Sequence, residues 1–244
     1  MKQNIYDDSD FFAKYSAMPR SMGGLDDAGE WPVFQTLLPN LQDKRLLDLG
    51  CGFGWHCRYA SQQNAQSVVG VDLSEKMIAH AKELTNDSKI EYQRSAIEDI
   101  DFAANAFDVV ISSLALHYVE RFDLICQKVH QCLIPGGPFI MSVEHPIFTA
   151  VASQDWYYGV DGERLHWPVD NYQHEGCRHT QWMADDVMKY HRTVATYVNT
   201  LIGSGFQILK LAEPGPTPDM LIKNSSCVDE CRRPMFLLIA AARL

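Results

Sequence analysis

A glycine-rich turn carries the clearest chemical signal in the sequence. Residues 48–54 read DLGCGFG, and they stand where a short apolar segment gives way to a helical pattern. Glycines allow a backbone to approach a ligand closely, and the start of a helix behind them offers unpaired N–H groups. The turn therefore predicts a ligand-binding loop between a strand and a helix.

Two phosphate-binding motifs are close to this turn but do not match it. A dinucleotide fold uses G-x-G-x-x-G, which requires glycine at position 55, where the chain has Trp55. A Walker phosphate loop needs Gly-Lys-Ser or Gly-Lys-Thr, and Gly54-Trp55-His56 supplies no such cation. The sequence disfavours an NAD site and excludes a nucleoside triphosphate site.

An acidic residue completes the signal. Asp72 ends the next apolar run, 18 residues after Gly54. A carboxylate in this place can accept hydrogen bonds from both hydroxyls of a ribose. The expected ligand therefore contains an unphosphorylated ribose.

The elements that must position these residues alternate between strand and helix. Apolar runs predict buried strands at 45–50, 67–72, 106–113 and 138–144. Two helical stripes lie between them: one is capped by Ser74 and buries Met77, Ile78, Ala81 and Leu84, and the other carries Phe122, Ile125, Val129 and Leu133. Because parallel strands need long crossovers, this order predicts a doubly wound α/β core with helices on both faces.

The pattern changes after Glu144. Residues 145–182 are rich in Trp and Tyr and show no clear period. From position 185, apolar spacing predicts a helix that ends at Gly203 and carries Val187, Tyr190, Val194, Val198 and Leu201. Apolar runs at 206–211 and 235–242 predict two final strands that pair with each other.

Taken together, these motifs resemble the class I S-adenosylmethionine (AdoMet) methyltransferases. The first motif of that family is D/E-x-G-x-G-x-G, with an acidic residue closing the second strand, and Asp48 and Asp72 match it. The resemblance continues in SAIED at 95–99, FDVV at 107–110, LHYV at 116–119 and LIPGG at 133–137. Over residues 43–145 the chain is similar to the ubiquinone/menaquinone-biosynthesis type of small-molecule methyltransferase.

This resemblance implies an architecture for the whole chain. It implies a seven-stranded, mostly parallel, Rossmann-like sheet whose last strand is antiparallel. Residues 1–244 are then a single methyltransferase domain, with its core at about 43–145 and 185–244. The segments at about 1–36 and 146–184 are expected to act as lids, the second being an insertion after strand 5.

The resemblance also implies roles in binding AdoMet as cofactor. Asp72 holds the ribose, Leu73 and Met77 flank the adenine, and Asp48 steers the methionine amino group. Alternatively, Asp48 only caps the glycine turn and Asp72 only caps the following helix. The family usually has Asp near the adenine amine where this chain has Ala96. The predicted cofactor-binding residues are Asp48, Gly50, Cys51, Gly52, Gly54, Asp72, Leu73, Met77, Ala96, Ile97 and Ser113.

The expected reaction is transfer of a methyl group to a small molecule by in-line displacement. The protein then mainly aligns the nucleophile and excludes water, and a general base is optional. In an α/β sheet the site lies beyond the carboxyl ends of the strands, which selects His117, Glu144 and His145 as candidate catalytic residues. His145 is the first choice as base. Alternatively, His145 and His117 are packing residues.

Two segments rich in aromatic residues are candidates for binding the acceptor. Tyr15 and Arg20 precede the core, and the guanidinium could pair with a carboxylate of the cofactor or with an anionic acceptor. The insertion supplies Trp156 and Trp167, and His191 follows it. These residues suit an aromatic, apolar or cationic small molecule. Alternatively, the insertion is a satellite core over one sheet edge.

Composition excludes several other functions. The formal charge of −10 disfavours nucleic acid as a partner, and the longest apolar run, 235–242, is too short to span a membrane. Seven cysteines without a visible export signal indicate free thiols in a cytoplasmic protein, and their spacing predicts no metal site. The alternatives are an NAD-dependent oxidoreductase and a non-catalytic AdoMet-binding partner protein.

Overall fold

The computed structural model describes residues 3–223 and 225–244. Its α-helices are α1 Ser9–Ser16, α2 Pro19–Met22, α3 Trp31–Leu37, α4 Trp55–Gln62, α5 Glu75–Glu83, α6 Phe122–Cys132, α7 Pro146–Thr149, α8 Val194–Gly203 and α9 Pro218–Lys223. Short 3-10 helices occur at Ile5–Asp7, Gly24–Asp27, Ile97–Asp99, Leu116–Tyr118 and Ser225–Arg232.

The strands form one large sheet and two small hairpins. They are β1 Arg45–Leu49, β2 Ser67–Asp72, β3 Ile90–Arg94, β4 Val109–Ser113, β5 Pro138–Glu144, β6 Tyr157–Tyr158, β7 Arg164–His166, β8 Gly176–Trp182, β9 Ala184–His191, β10 Phe206–Ala212 and β11 Phe236–Arg243. The large sheet has seven strands in the order β10-β11-β5-β4-β1-β2-β3. Its strands are parallel except β11, which pairs antiparallel with both β5 and β10. The predicted fold class is confirmed.

The strand β3 escaped prediction for a physical reason. Its sequence is IEYQR, and only Tyr92 in it is buried. It lies at one edge of the sheet, pairing with β2 alone. An edge strand needs no continuous apolar run, so its sequence carries little signal.

Side chains of the central strands alternate between two apolar layers. Leu47 and Leu49 of β1 belong to the layer that packs against α6 and α8, while Leu46 belongs to the layer against α3, α4 and α5. This alternation follows from the period of two along a strand. With both faces covered, the sheet edge at the carboxyl ends of the strands is left to form a site.

The two predicted helical stripes are largely confirmed. Helix α5 is capped by Ser74, whose Oγ accepts a hydrogen bond from the backbone N–H of Met77 at 3.1 Å. The prediction that Leu84 is buried was wrong, because α5 ends at Glu83 and leaves Leu84 44% exposed. All four predicted apolar residues of the α6 stripe are buried.

The prediction of a helix from position 185 was wrong for the first half of that segment. Residues 184–191 form β9, which pairs antiparallel with β8, and the helix α8 begins only after Thr193. In β9 the fully buried residues are Val187, Lys189 and His191, which is the period of a strand. Two of these three are polar, so the apolar pattern of the sequence concealed the strand.

Cysteine chemistry agrees with the prediction of free thiols. All seven cysteines are unpaired, and four of them are buried. Across the described part of the chain, the helices are too short or too polar to cross a bilayer.

The packing of α8 allows a test of the core. Leu201 is fully buried against the sheet, and the adjacent Ile202 is 54% exposed. We expect Leu201→Ala to lower the free energy of unfolding by about 2 to 5 kcal/mol, because it leaves a cavity. Ile202→Ala, the matched control, should change it by less than about 0.5 kcal/mol. Chemical denaturation measures both, and equal losses would contradict the packing described.

Candidate active site

The glycine turn connects β1 to α4 with three residues in the left-handed region. Gly50, Gly52 and Gly54 have φ angles of +79°, +51° and +72°. A Cβ on Gly50 would lie 2.3 Å from the Cβ of Ala115, and one on Gly54 would lie 2.1 Å from the hydroxyl oxygen of Tyr92. A Cβ on Gly52 would meet no atom within 4 Å. Gly50 and Gly54 therefore permit close packing, whereas Gly52 borders open space.

Asp72 ties this turn to the end of β2. Its Oδ2 accepts a hydrogen bond from the N–H of Gly52 at 2.9 Å, and its Oδ1 accepts one from the N–H of Ser74 at 2.9 Å. Burial raises the pKa of Asp72, and these two hydrogen bonds work in the opposite direction. The carboxylate both caps the α5 start and lines the large cavity described below.

Asp48 lies beneath the glycine turn, 1% exposed. Its Oδ2 accepts a hydrogen bond from the Cys57 thiol at 3.4 Å. Burial raises the pKa of Asp48 to about 7. Asp48 borders neither cavity described below, so its placement is that of a residue supporting the turn from behind.

A cavity of about 840 Å³ opens at the carboxyl ends of the strands. Beside it, a small cavity of about 60 Å³ lies between the glycine turn and the segment after α2. Cys51 lines only the small cavity, and Gly54 lines neither. The remaining predicted cofactor residues lie along one end of the large cavity: Gly50, Gly52, Asp72, Leu73, Met77, Ala96, Ile97 and Ser113. We call this the cofactor end.

The cofactor end fits S-adenosylmethionine in three respects. Gly52 leaves room for a ligand against the backbone, and Asp72 presents a carboxylate to a ribose. Leu73, Met77 and Ile97 offer an apolar surface to a purine. Close to the small cavity, three buried polar atoms have no hydrogen-bond partner among the described residues, namely Oγ of Ser21, Nε1 of Trp55 and Oε2 of Glu30. Such atoms are the groups that a polar ligand tail can satisfy.

Tyr15 and Arg20 border both cavities, as their predicted role in ligand binding requires. The Arg20 guanidinium bonds to Oε1 of Glu30 at 2.8 Å, and Glu30 is 1% exposed. The Ser113 hydroxyl donates to the same oxygen at 3.4 Å. No motif in the sequence pointed to Glu30, which holds Arg20 at the junction of the two cavities.

His117 lines the opposite end of the large cavity, which we call the acceptor end. Its Nδ1 accepts a long hydrogen bond, 3.4 Å, from the backbone N–H of Glu144. Burial lowers the pKa of His117 to about 4. The ring is therefore neutral at physiological pH, with its proton on Nε2.

Glu144 also lines the acceptor end, held by two partners that the sequence did not reveal. Lys189 Nζ bonds to its Oε1 at 2.6 Å, and Gln154 Nε2 donates to its Oε2 at 2.9 Å. Burial alone would raise the pKa of Glu144, but His117, Lys189 and the two hydrogen bonds outweigh it and lower the pKa. One sequence signal could have revealed Lys189. It lies two residues from both Val187 and His191, and this spacing places all three side chains on the same face of a strand.

His145 lies outside both cavities. Its Nδ1 accepts a hydrogen bond from the N–H of Ile147 at 3.0 Å and so caps α7, while its Nε2 lies 2.8 Å from Oε1 of Glu213. Burial lowers the pKa of His145, although Glu213 opposes this. With both ring nitrogens engaged away from the cavities, the geometry does not support the predicted role of base.

The residues of the insertion that were predicted to bind the acceptor also lie outside the cavities. Trp167 stacks on Phe148 at 5.0 Å between ring centroids and packs against Trp156. The Arg233 guanidinium lies 4.0 Å from the centroid of the Trp167 ring. His191 is fully buried between Thr149 and the carbonyl of Tyr172. Trp156, Trp167 and His191 do not line either cavity; the aromatic residues of the insertion that line the large cavity are Phe148 and Trp182.

Side chains of the types that bind metals stand at the end of the insertion. Cys177 and His179 lie side by side on β8, and the His179 ring contacts Asp186. Within residues 3–223 and 225–244, no three His, Cys, Asp or Glu side chains are grouped so as to hold a metal ion.

Comparison with known proteins agrees with this geometry. Residues 47–141 match the methyltransferase domain family. A Haemophilus influenzae protein of uncharacterised function is 34% identical over the whole of this chain and 98% of its own length. An S-adenosylmethionine dependent methyltransferase from Mesorhizobium loti is 46% identical, with a TM-score of 0.85 over 90% of this chain and all of that one. A Listeria monocytogenes protein assigned to the same class is 51% identical, with a TM-score of 0.86 over 91% of this chain and 99% of that one.

The chain therefore belongs to the S-adenosylmethionine dependent methyltransferases, and S-adenosylmethionine is its cofactor. The two alternatives left open by the sequence, an NAD-dependent oxidoreductase and a non-catalytic binding protein, are set aside.

The two hydrogen bonds of Asp72 generate a prediction for the cofactor. Asp72→Ala removes a charged acceptor, and hydrogen bonds to charged groups contribute roughly 1.5 to 3 kcal/mol each. We expect the affinity for S-adenosylhomocysteine in calorimetry to fall at least tenfold. Asp101→Ala, at an exposed position, is the matched control and should bind normally. If Asp72→Ala keeps native affinity with an intact fold, the residue is only a helix cap.

Asp48 generates a prediction about pH. Its pKa in the folded protein is about 7, above the ordinary value of 3.8, so the folded state holds this proton more tightly. The stability from the protonated form is complete below the unfolded pKa and is lost as pH rises to about 7. Relative to Asp48→Asn, the native protein should therefore lose free energy of unfolding across that window. Chemical denaturation of both proteins at the low-pH and high-pH ends of this window measures the loss. If the difference in stability between the two proteins is the same at both ends, the raised pKa of Asp48 is contradicted.

Proposed function

We propose that this methyltransferase modifies a small molecule held at the acceptor end of the large cavity. The observation that carries the proposal is that the cofactor end and the acceptor end belong to one cavity of about 840 Å³. This volume lies within the range of roughly 300 to 1,000 Å³ found for small-molecule sites. The formal charge of −10 supports the same choice over nucleic acid.

The chain itself forms a roof over this cavity. The side chain of Gln3 accepts a hydrogen bond from the N–H of Met188 at 2.8 Å and donates one to the carbonyl of Asp186 at 2.7 Å. Lys14 Nζ donates to the carbonyl of Met183 at 2.7 Å. The N-terminal segment is thereby joined to the β8–β9 hairpin, and this favours an acceptor that fits inside over a macromolecule that binds from outside.

The same roof is fixed to the cofactor end. Asp7 accepts hydrogen bonds from the Ser74 hydroxyl at 2.5 Å and from the N–H of Lys76 at 3.1 Å, at the start of α5. Ser74 in turn donates its N–H to Asp72. The residue proposed to receive the ribose and the segment that covers the cavity thus share one helix end, so we expect cofactor binding to stabilise this cover.

The cofactor supplies, when bound, a methyl group on a positively charged sulfur. The work of this chain is then to orient the acceptor and to exclude water. Tyr6, Tyr15, Tyr118 and Trp182 line the cavity, and Tyr6 packs edge-on against both Tyr15 and Tyr118. These rings give the acceptor a rigid, largely apolar surround.

The sequence motifs constrain the chemical type of the acceptor less than they constrain the cofactor. The resemblance to the ubiquinone/menaquinone type covers residues 43–145, whereas much of the acceptor end comes from residues 3–20 and 148–190. That subtype therefore stays a prediction, as does the cytoplasmic location. The aromatic residues that line the cavity move the expected acceptor contact from Trp156 and Trp167 to Phe148 and Trp182.

The proposal is tested with purified protein and AdoMet carrying a radiolabelled methyl group. Incubated with separated metabolite, protein and nucleic-acid fractions, the protein should transfer label to the metabolite fraction. Label found only in a macromolecular fraction would refute a small-molecule acceptor.

A pair of tryptophan variants then tests the acceptor end. Trp182→Ala removes a ring that lines the cavity, and we expect KM for the labelled metabolite to rise roughly tenfold. Trp167→Ala removes the same side chain outside the cavity, behind Phe148, and should raise KM much less. Affinity for S-adenosylhomocysteine should be native in both. The reverse order of effects on KM would show that the acceptor lies elsewhere.

A further inference from the structure

The acceptor end combines hydrogen-bond donors with weak bases. His117 cannot serve as a base through Nε2, because that nitrogen carries the proton while Nδ1 faces the backbone N–H of Glu144. No described residue bonds to Nε2, and the ring lines the cavity. His117 therefore presents one N–H donor to whatever occupies the acceptor end.

Glu144 is a poor base for a different reason. Each of its oxygens already accepts a hydrogen bond, one from Lys189 and one from Gln154. Lys189 is 1% exposed, and its ammonium also lies 5.2 Å from the centroid of the Trp182 ring. A proton placed on Glu144 would break up a buried ion pair, which is strongly unfavourable.

The other ionisable groups of the cavity do not supply a stronger base. The hydroxyls of Tyr6 and Tyr118 are 3.3 Å apart, and burial raises the pKa of both. Arg20 carries only protons to donate and is paired with Glu30. Tyr15 and Tyr190 also line the cavity, and burial raises the pKa of both. The other groups that could accept a proton are carboxylates, with Asp72 at the cofactor end, Glu98 and Asp99 after Ile97, and Glu120 exposed to solvent. A carboxylate does not ionise an ordinary alcohol before the transfer, because the pKa of the alcohol is far higher.

We propose that the acceptor is an acidic hydroxyl compound, a phenol, an enol or a carboxylic acid, which binds as its anion with His117 Nε2–H donating to the nucleophilic oxygen. This rests on the proposed small-molecule function and gives it a substrate class. Lys189 and Gln154 are positioning residues, since they act by holding Glu144 and the hairpin in place.

The chemistry balances without a base. A lone pair of the acceptor oxygen forms the new O–C bond while the S–C bond of the sulfonium breaks, and its electron pair stays on sulfur. A methyl ether or methyl ester and a neutral thioether result. The negative charge of the acceptor cancels the positive charge of the sulfonium, so no proton has to leave during the transfer.

An amine acceptor suits the same groups less well. An ammonium ion must lose a proton before its nitrogen becomes nucleophilic, and the acceptor end offers donors where that step needs an unengaged base.

Four matched probes test the substrate class by binding alone. They are 4-nitrophenol, 4-nitrobenzoic acid, 4-nitroaniline and 4-nitrobenzyl alcohol, each dialysed against protein saturated with S-adenosylhomocysteine at a pH at which the first two are ionised. We expect the two anions to bind roughly tenfold to a hundredfold more tightly than the neutral probes, because a charged acceptor strengthens a hydrogen bond. Equal affinities, tighter binding of the aniline or the alcohol, or no binding of any probe would overturn the proposal.

The absorption spectrum of 4-nitrophenol adds a second readout in the native protein. A tenfold preference for the phenolate lowers the apparent pKa of the bound probe by about one unit. An unchanged or raised value would contradict an anion-binding site, whether or not any variant folds.

His117 variants then assign the effect to one side chain. His117→Phe keeps a ring but removes the donor, so most of the preference for anions should disappear, whereas His117→Asn retains an N–H donor and should retain much of it. His174→Phe, at an exposed position, is the matched control. Native affinity for S-adenosylhomocysteine verifies each fold. Full anion preference in His117→Phe would refute the assigned role.

Failure of this inference can be told apart from failure of the proposed function. Transfer of label to a metabolite amine would leave the small-molecule function standing and remove the acidic hydroxyl. Transfer to macromolecules alone would remove the function itself, whatever the probes show.

Discussion

A single half-buried carboxylate connects the parts of this molecule that must meet around the cofactor. Asp72 holds the glycine turn through the N–H of Gly52 and the start of α5 through the N–H of Ser74, each at 2.9 Å. Hydrogen bonds to an ionised acceptor are about twice as strong as neutral ones, which offsets the cost of removing part of the charge from water. Because Asp7 bonds to the same helix start, the N-terminal roof takes its position from this residue as well.

The acceptor end depends on a charge pair between a buried lysine and a half-buried glutamate. Glu144 stands at the end of β5 and Lys189 in the middle of β9, so their contact attaches the hairpin to the sheet. Removing one partner of such a pair costs about 3 to 5 kcal/mol, since the other is left charged without compensation. The pair therefore gives the cavity a fixed wall, and it also keeps Glu144 from acting as a strong base. The contact between Lys189 and Glu144 therefore both fixes the wall of the cavity and limits the basicity of Glu144.

The cofactor end could be predicted from sequence because its signals are local. Glycines at alternate positions and an acid at the end of the next strand are typical of a nucleoside-binding turn, and the parallel sheet places them together. The acceptor end could not, because it depends on contacts between distant segments. From the sequence alone Lys189 resembles a solvated surface residue, but the pairing of β9 with β8 buries it. His145 resembles a catalytic residue, but its ring caps α7 instead. The rule that the site lies beyond the carboxyl ends of the strands selected both His117 and His145. Only the side-chain geometry shows that the first lines the cavity and the second does not.

The central claim is that the carboxylate of Asp72 receives the ribose of the cofactor, and a binding cycle tests it most directly. Calorimetry would compare S-adenosylhomocysteine with an analogue that lacks both ribose hydroxyls, each against the native protein and Asp72→Ala. If the claim holds, loss of the hydroxyls weakens binding to the native protein but has little effect in the variant, a coupling of roughly 1.5 to 3 kcal/mol. Equal losses in both proteins, with no coupling, would contradict it.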